Sequence, residues 1–173
     1  MPSFSKELLQ AVQNWKRVPP SVFPLGSVNV QSPVTFKVLS LNTALELAQK
    51  TLNSCQKEGY QISVAIVDRF GNLQVLLRDR FAGPHTIEAA RRKAWTAASF
   101  KTDTIDLSKL TQAGQPFAPI KFVTGALMAG GGVQVKSAGS IVAGIGVAGA
   151  PGGLLDDKCA KDGIEEIAEK LEF

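Results

Sequence analysis

His85 is the only histidine of the chain, and an imidazole can bind a metal or accept a proton near neutral pH. It lies in the turn-forming stretch Ala82-Gly-Pro-His-Thr86, directly before a segment with helical spacing. The residues alone leave two interpretations, an exposed or capping histidine of the turn, or a ligand of a metal or haem iron or a general base. Because there is no second histidine, a Ser-His-Asp triad cannot be built without His85.

Three consecutive basic residues, Arg91, Arg92 and Lys93, share the same helical segment. Glu88 precedes them at a spacing that favours a solvated helix face with a Glu88–Arg92 pair. The alternative function is contact with an anionic group of a ligand by one of the three cations.

A glycine-rich stretch near the end of the chain carries the pattern Gly144-x-Gly146-x-x-Gly149. The pattern resembles a dinucleotide fingerprint, but only one helix follows it and no strand remains to complete a βαβ unit, so that function is rejected. The loop continues through Gly152 and Gly153 into the last helix, where free amides could hold a carboxylate or phosphate. In the other interpretation the acidic residues of the first turn, Asp156 and Asp157, cap the helix themselves.

The overall composition is that of one soluble globular domain. The chain has 173 residues, of which 45% are hydrophobic and 20% charged, with a formal net charge of +4. The basic residues are scattered, which argues against nucleic acid as a partner, and no apolar run has the length of a membrane span. The first residues lack the layout of a signal peptide, so we expect a cytoplasmic protein; a secreted chain with a processed start would look the same.

The two cysteines, Cys55 and Cys159, form neither a CxxC pair nor a zinc-binding spacing. Both fall on the apolar stripe of a predicted helix, which favours a structural role as small apolar side chains and leaves a disulfide between them open.

Two regions differ in their pattern. Residues 1–38 are proline-rich and predict an arm that packs on the body or on a neighbouring subunit through Trp15, Phe23 and Leu25, or else a partly ordered terminus. Residues 39–173 predict a regular domain. Its expected elements are a helix over 41–55, strands over 61–68 and 73–78, a helix over 86–100 capped by Thr86, a short helix over 103–110, strands over 133–136 and 140–147, and a last helix from about 156.

Two hairpins separated by helices favour the α+β class, with a mostly antiparallel sheet and helices packed on it. Three ordered motifs then suggest a family. They are Val64-Ala-Ile-Val-Asp68-x-x-Gly71-Asn72-Leu73, Ala89-Ala-Arg-Arg-Lys93-Ala94-Trp95-Thr96-Ala97, and Gly144-Ile-Gly-Val-Ala-Gly149-Ala-Pro-Gly-Gly153 with Asp156-Asp157 and Ala160-x-x-Gly163. This set resembles the GlcG/HbpS family, also called the haem-degrading-domain family, which includes the C-terminal domain of PduO proteins.

The resemblance implies a five-stranded antiparallel sheet with flanking helices, profilin- or PAS-like in outline, and a homo-oligomer. It also implies a small ligand, with haem as the candidate cofactor. In this hypothesis His85 binds the iron, Arg91, Arg92 or Lys93 pairs with the propionates, and the loop of Gly149, Gly152 and Gly153 lines the pocket. The alternatives are an accessory or scaffold subunit that binds a small carboxylate, and an uncharacterised small-molecule enzyme; no catalytic residue is assigned.

Overall fold

The structure, a computed structural model, describes residues 34–172. Most of the predicted arm, residues 1–33, lies outside the described residues, so the proposed packing of Trp15, Phe23 and Leu25 stays a prediction.

The first helix, α1, spans Leu41–Lys57. It begins where the Ser40 hydroxyl accepts a hydrogen bond from the Thr43 amide at 3.1 Å, which satisfies one of the amides left free at a helix start. It ends just before Gly59, whose φ of +82° suits the residue that follows a helix. Both boundary residues agree with the pattern of the sequence.

The next element is the predicted hairpin of β1, Ser63–Asp68, and β2, Leu73–Arg78. In its turn the Asp68 carboxylate accepts the amides of Phe70 at 2.8 Å and Asn72 at 2.9 Å. These bonds fix the reversal of the chain, because they replace the partners that the amides would otherwise find in water.

The remaining elements follow the predicted order, with small shifts at their ends. They are α2 His85–Phe100, α3 Thr104–Leu110, a 3₁₀ helix Ala118–Phe122, β3 Gly132–Ser137, β4 Ser140–Ala148, α4 Gly153–Glu165 and a 3₁₀ helix Ala168–Leu171. The prediction of Thr86 as the cap of α2 is wrong. Its hydroxyl lies inside the helix, donating to the Gly83 carbonyl at 2.6 Å and lying 2.7 Å from the Ser63 hydroxyl.

The described sheet has four strands in the order β2-β1-β4-β3, all antiparallel, so the α+β class is confirmed and the expected fifth strand is not found in residues 34–172. The outer edge of β3 is already occupied by side chains. The Gly132 amide donates to the Thr104 hydroxyl at 2.8 Å, and the Gln134 amide donates to Asp103 at 3.0 Å. These bonds close the edge against a further strand. The profilin- or PAS-like outline stays a prediction.

Helices cover both faces of the sheet. Alternate residues of β1 point to opposite sides, so Val64 and Ile66 join the core under α1 and α4, while Ala65 and Val67 pack on the alanines of α2. Helix α2 lies very close to β4, because a Cβ at Gly146 would stand 2.0 Å from the Ala90 carbonyl oxygen. The glycines of the apparent dinucleotide fingerprint therefore admit a helix backbone.

The two cysteines form a disulfide that joins α1 to α4, with the Cα atoms of Cys55 and Cys159 5.5 Å apart. The favoured interpretation, two free cysteines that pack as small apolar side chains, is wrong, and the disulfide that the sequence left open is formed. Across the described chain, no helix combines the length and apolarity needed to cross a bilayer.

Candidate ligand-binding site

His85 is the first residue of α2, and its side chain is exposed. The ring packs on the backbone of Gly83, since a Cβ on that glycine would lie 2.6 Å from the ring carbon Cε1. A side chain at Gly83 would therefore displace the imidazole. The local chain sets the position of the ring and leaves it open to solvent.

The glycine loop lies at the same end of the sheet as His85. Ser63 connects the two, because it pairs with Ala148 across the ladder and its hydroxyl lies 2.7 Å from that of Thr86. His85 and Gly149 are the chain neighbours of these two partners. The structure thus brings two of the predicted site features to one edge of the fold.

Arg91 is held by Glu88 rather than by a ligand. Its guanidinium donates two hydrogen bonds to the Glu88 carboxylate, at 2.8 and 2.7 Å. This contact lowers the pKa of Glu88 and raises that of Arg91. The predicted pair of Glu88 is therefore made with Arg91 and not with Arg92. Since both groups are well exposed, the pair contributes little and can open for another anion.

Arg92 lies seven residues after His85, on the same helix face and about 10 Å further along the axis. Its guanidinium donates to the backbone carbonyls of Gly125 and Ala126. Arg92 therefore fixes the segment that precedes β3, and its Nε and Nη2 already have backbone acceptors.

Lys93 is buried, with a relative exposure of 5%, and does not reach the surface beside His85. Its ammonium donates to Asp156 at 2.7 Å and to the Val147 carbonyl at 2.9 Å. These contacts tie α2 to the end of β4 and to the start of α4. The predicted contact of Lys93 with a propionate would require this buried pair to separate.

The glycine loop closes on a carboxylate of the chain itself. Asp156 accepts the Ala150 amide at 3.0 Å and also bonds the Gly149 amide, so the anion at the start of α4 is internal. Burial raises the pKa of Asp156, while Lys93 and the loop amides act to lower it. Asp156 therefore binds amides of the loop before α4, whereas Asp157 pairs with Lys161 at 2.7 Å and, among the described residues, no side chain caps the first turn of α4 itself.

The three predicted pocket glycines have different local roles. Gly149 has a φ of +132°, and a Cβ there would lie 2.6 Å from the Gln61 carbonyl oxygen. Gly152 is exposed, with open space around its Cα. Gly153 begins α4 and packs against the backbone of Gly130. Gly149 and Gly152 are both exposed to solvent, whereas Gly153 is half-buried, so a ligand could approach the loop at the first two.

Further residues close to His85 in the chain, which the sequence did not assign to the site, lie in the loop before it and on the first turn of α2. Phe81 is 77% exposed and lies four residues before the histidine, and the Arg80 guanidinium stands 5.9 Å from the Phe81 ring centre. Ile87, on the first turn of α2, is 37% exposed. The sequence did offer an indication of these residues, because the pair Arg80-Phe81 lies only a few residues before the only histidine.

The side chains around His85 suit a haem better than a metal ion held by protein ligands alone. Residues 34–172 contain no group of three His, Cys, Asp or Glu side chains that could together hold a metal ion. A single imidazole near exposed apolar and cationic side chains fits a haem, because the porphyrin itself would supply four nitrogen ligands of the iron and the protein would need to add only one. An all-protein metal site has no such support among these residues.

The fold and this edge define a small α+β domain with one exposed histidine. The model of the family described as haem degrading protein HbpS-like matches residues 39–165, and the chain belongs to that family.

Solved structures agree with this assignment. The chain is 40% identical to a double mutant of Streptomyces reticuli HbpS, with a TM-score of 0.73, covering 78% of this chain and 90% of that one. It is 28% identical to the PduOC protein of a PduOC–haem complex, with a TM-score of 0.70, covering 74% of this chain and 94% of that one. Among curated proteins, the corrinoid adenosyltransferase PduO of Salmonella typhimurium (strain LT2) is 30% identical over 113 residues, which is 64% of this chain; the match spans about a third (34%) of PduO.

Proposed function

We propose that this protein binds haem at the end of the sheet where α2 begins, with His85 as the iron ligand. The observation that carries the proposal is the related PduOC protein, whose structure is that of a haem complex. In this chain the exposed imidazole of His85 supplies the iron ligand that such a site needs. Bound haem would supply a redox-active iron, and the proposal concerns binding alone.

The surroundings of His85 suit an amphipathic, planar molecule. Phe81 and Ile87 offer exposed apolar surface on either side of the histidine in the chain. A porphyrin face placed against them would remove apolar area from water on both molecules. The imidazole packs on the Gly83 backbone and stays exposed to solvent, where a ligand can reach it.

The two propionates of haem would need basic side chains as partners, and these side chains must be able to leave the groups that they bind in this structure. Arg91 is the best supported of the three predicted residues, because its partner Glu88 is 57% exposed and loses little when the pair opens. Arg80, over the Phe81 ring, is a second candidate on the other side of His85. Arg92 and Lys93 then have positioning roles, holding the segment before β3 and the glycine loop.

We also propose that the protein forms a homo-oligomer, as the family resemblance implies. The segment around the first 3₁₀ helix exposes large apolar side chains, with Phe117 at 54%, Phe122 at 78% and Val123 at 44%. A second copy that covered them would remove this apolar surface from water. Light scattering coupled to size-exclusion chromatography tests the oligomer, and a monomer at micromolar concentration contradicts it.

The disulfide favours an oxidising compartment over the cytoplasmic location expected from the first residues of the chain. Disulfides such as Cys55–Cys159 persist outside the reducing cytosol. We therefore propose that the protein works where thiols are oxidised.

A haemin titration followed by absorbance tests the proposed binding. We expect the wild-type Soret band to shift and to saturate at one haem per chain. Arg91→Gln should weaken the affinity several-fold, whereas Lys109→Gln, an exposed paired cation on α3, should leave it unchanged. The absence of a Soret shift in folded, colourless protein contradicts the proposal.

A further inference from the structure

The first and last helices of the domain are joined at one place by a covalent bond and by very close backbone packing. The disulfide links Cys55 of α1 to Cys159 of α4, which are 104 residues apart in sequence. One helical turn away on each helix, Gly163 lies against Thr51, since a Cβ on the glycine would stand 2.9 Å from the Thr51 Cα. We call these four residues the α1–α4 lock.

The other contacts between α1 and α4 are non-covalent: apolar packing of buried side chains, a part-buried hydrogen bond from Ser54 to Asp162 at 2.8 Å, and surface ion pairs. Lys158 reaches Glu58 at 3.6 Å with both side chains about half exposed, and such pairs contribute little to stability. The Thr51 hydroxyl oxygen is buried and has no hydrogen-bond partner among the described residues, which carries a cost. The disulfide is therefore the strongest single connection between the two helices.

The lock shares a helix with the glycine loop. Asp156, whose carboxylate holds the Ala150 amide, lies one turn before Cys159 on α4. Movement of the first turns of α4 away from α1 would pull Asp156 against its buried bond to Lys93, and the loop would be released when that bond opens. Reduction of the disulfide would therefore affect the glycine loop, which lies at the same end of the sheet as His85.

We propose that the Cys55–Cys159 disulfide is a redox-dependent lock that holds α4, and through Asp156 the glycine loop, in place. A dithiol reductant opens it in two exchanges. A thiolate of the reductant attacks one cysteine sulfur and forms a mixed disulfide, and the second thiol of the reductant then displaces that cysteine. The protein gains two electrons and two protons as two thiols, and the reductant leaves as a cyclic disulfide.

Burial of the two cysteines slows the reduction of the disulfide. Cys55 is 0% and Cys159 2% exposed, so a reductant reaches them only when α4 opens transiently. The lock closes during folding in an oxidising compartment and stays closed there, and it opens on prolonged exposure to dithiols.

Hydrogen–deuterium exchange on oxidised protein and on protein reduced with dithiothreitol tests the lock. We expect peptides of α4 and of the loop 149–152 to exchange at least about tenfold faster after reduction, while α2 is unchanged. The melting temperature should fall by about 10 °C. Equal exchange in the two states overturns the proposal, as does faster exchange spread evenly over the whole chain.

Two variants complete the test. Cys55→Ala with Cys159→Ala should exchange like the reduced protein, with or without dithiothreitol. Ser54→Ala removes the hydrogen bond to Asp162 on the same pair of helices but keeps the disulfide, so it should retain the response to reduction. If the double variant does not fold, the wild-type comparison still decides. Two free thiols found by maleimide labelling of unreduced, denatured protein overturn the lock independently of any haem measurement.

Discussion

The ammonium nitrogen of Lys93 lies 2.7 Å from a carboxylate oxygen of Asp156, and both side chains are almost fully buried. The pair joins the middle of α2 to the first turn of α4 across the end of β4, where Lys93 also donates to the Val147 carbonyl. Because Asp156 binds the loop amides as well, two charged groups decide the position of the glycine loop.

Removal of one partner of this pair should destabilise the fold strongly. Asp156→Asn or Lys93→Met leaves the other charge buried without its counterion, and we expect the free energy of unfolding to fall by about 3–5 kcal/mol. Urea denaturation measures the loss. Lys93→Met combined with Asp156→Asn removes both charges and keeps an oxygen that can accept the Ala150 amide, so it should recover part of the stability.

The surface pair Arg91–Glu88 is the matched control. Arg91→Gln or Glu88→Gln should change the free energy of unfolding by less than about 1 kcal/mol, because water screens the exposed charges. Equal losses from the buried and the exposed pair would show that burial does not set the difference.

Asp68 should make stability depend on pH in the acid range. Burial raises its pKa, but hydrogen bonds from the Asn72 side chain and from the turn amides together outweigh burial and lower the pKa below the ordinary value of 3.8. The carboxylate therefore stabilises the folded state above that value, and the stabilisation is lost as the pH falls through the lowered pKa.

Comparison with Asp68→Asn isolates this effect. The wild type should be more stable than the variant at neutral pH, and the difference should shrink as the pH falls from about 5 to about 2. Thermal melts across that range provide the measurement. A difference that does not vary with pH would exclude the titration of Asp68 as its cause.

Gly146→Ala should be severely destabilising, since the added methyl group would stand 2.0 Å from the Ala90 carbonyl oxygen and push α2 off the sheet. We expect a loss of about 3 kcal/mol or more in the free energy of unfolding. Gly59→Ala has open space and a strained φ of +82°, so its loss should be about 1 kcal/mol. Similar losses in the two variants would contradict the close approach of α2 to β4.

Gly149→Val combines both penalties. Its φ of +132° is rarely adopted by residues with a side chain, and its Cβ would lie 2.6 Å from the Gln61 carbonyl oxygen. The melting temperature should fall by 10 °C or more on the scale of about 2–8 °C per kcal/mol. An unchanged melting temperature would remove the argument that the loop conformation requires glycine.

The sequence predicted the hairpins and helices well, because their signals are local. Alternating β-branched residues, the Ser40 cap and Gly59 act on their own neighbours. The fifth strand came from resemblance alone, and the side chains of Asp103 and Thr104 close the edge of β3.

The site was harder to predict, because the partner of each charged side chain depends on contacts between residues far apart in sequence. Lys93 and Arg92 have the same charge and are adjacent, yet the helix turns one toward Asp156 and the other toward the Gly125 carbonyl. No spacing rule distinguishes a buried cation from one that faces a ligand.

The absorbance spectrum of haemin with His85→Ala, recorded with and without added imidazole, tests the central claim most directly. We predict that the variant loses the spectrum of the histidine-ligated wild-type complex and that imidazole restores it, because the small molecule replaces the missing iron ligand. A His85→Ala complex with the same Soret band and affinity as the wild type, unaffected by imidazole, would contradict the account.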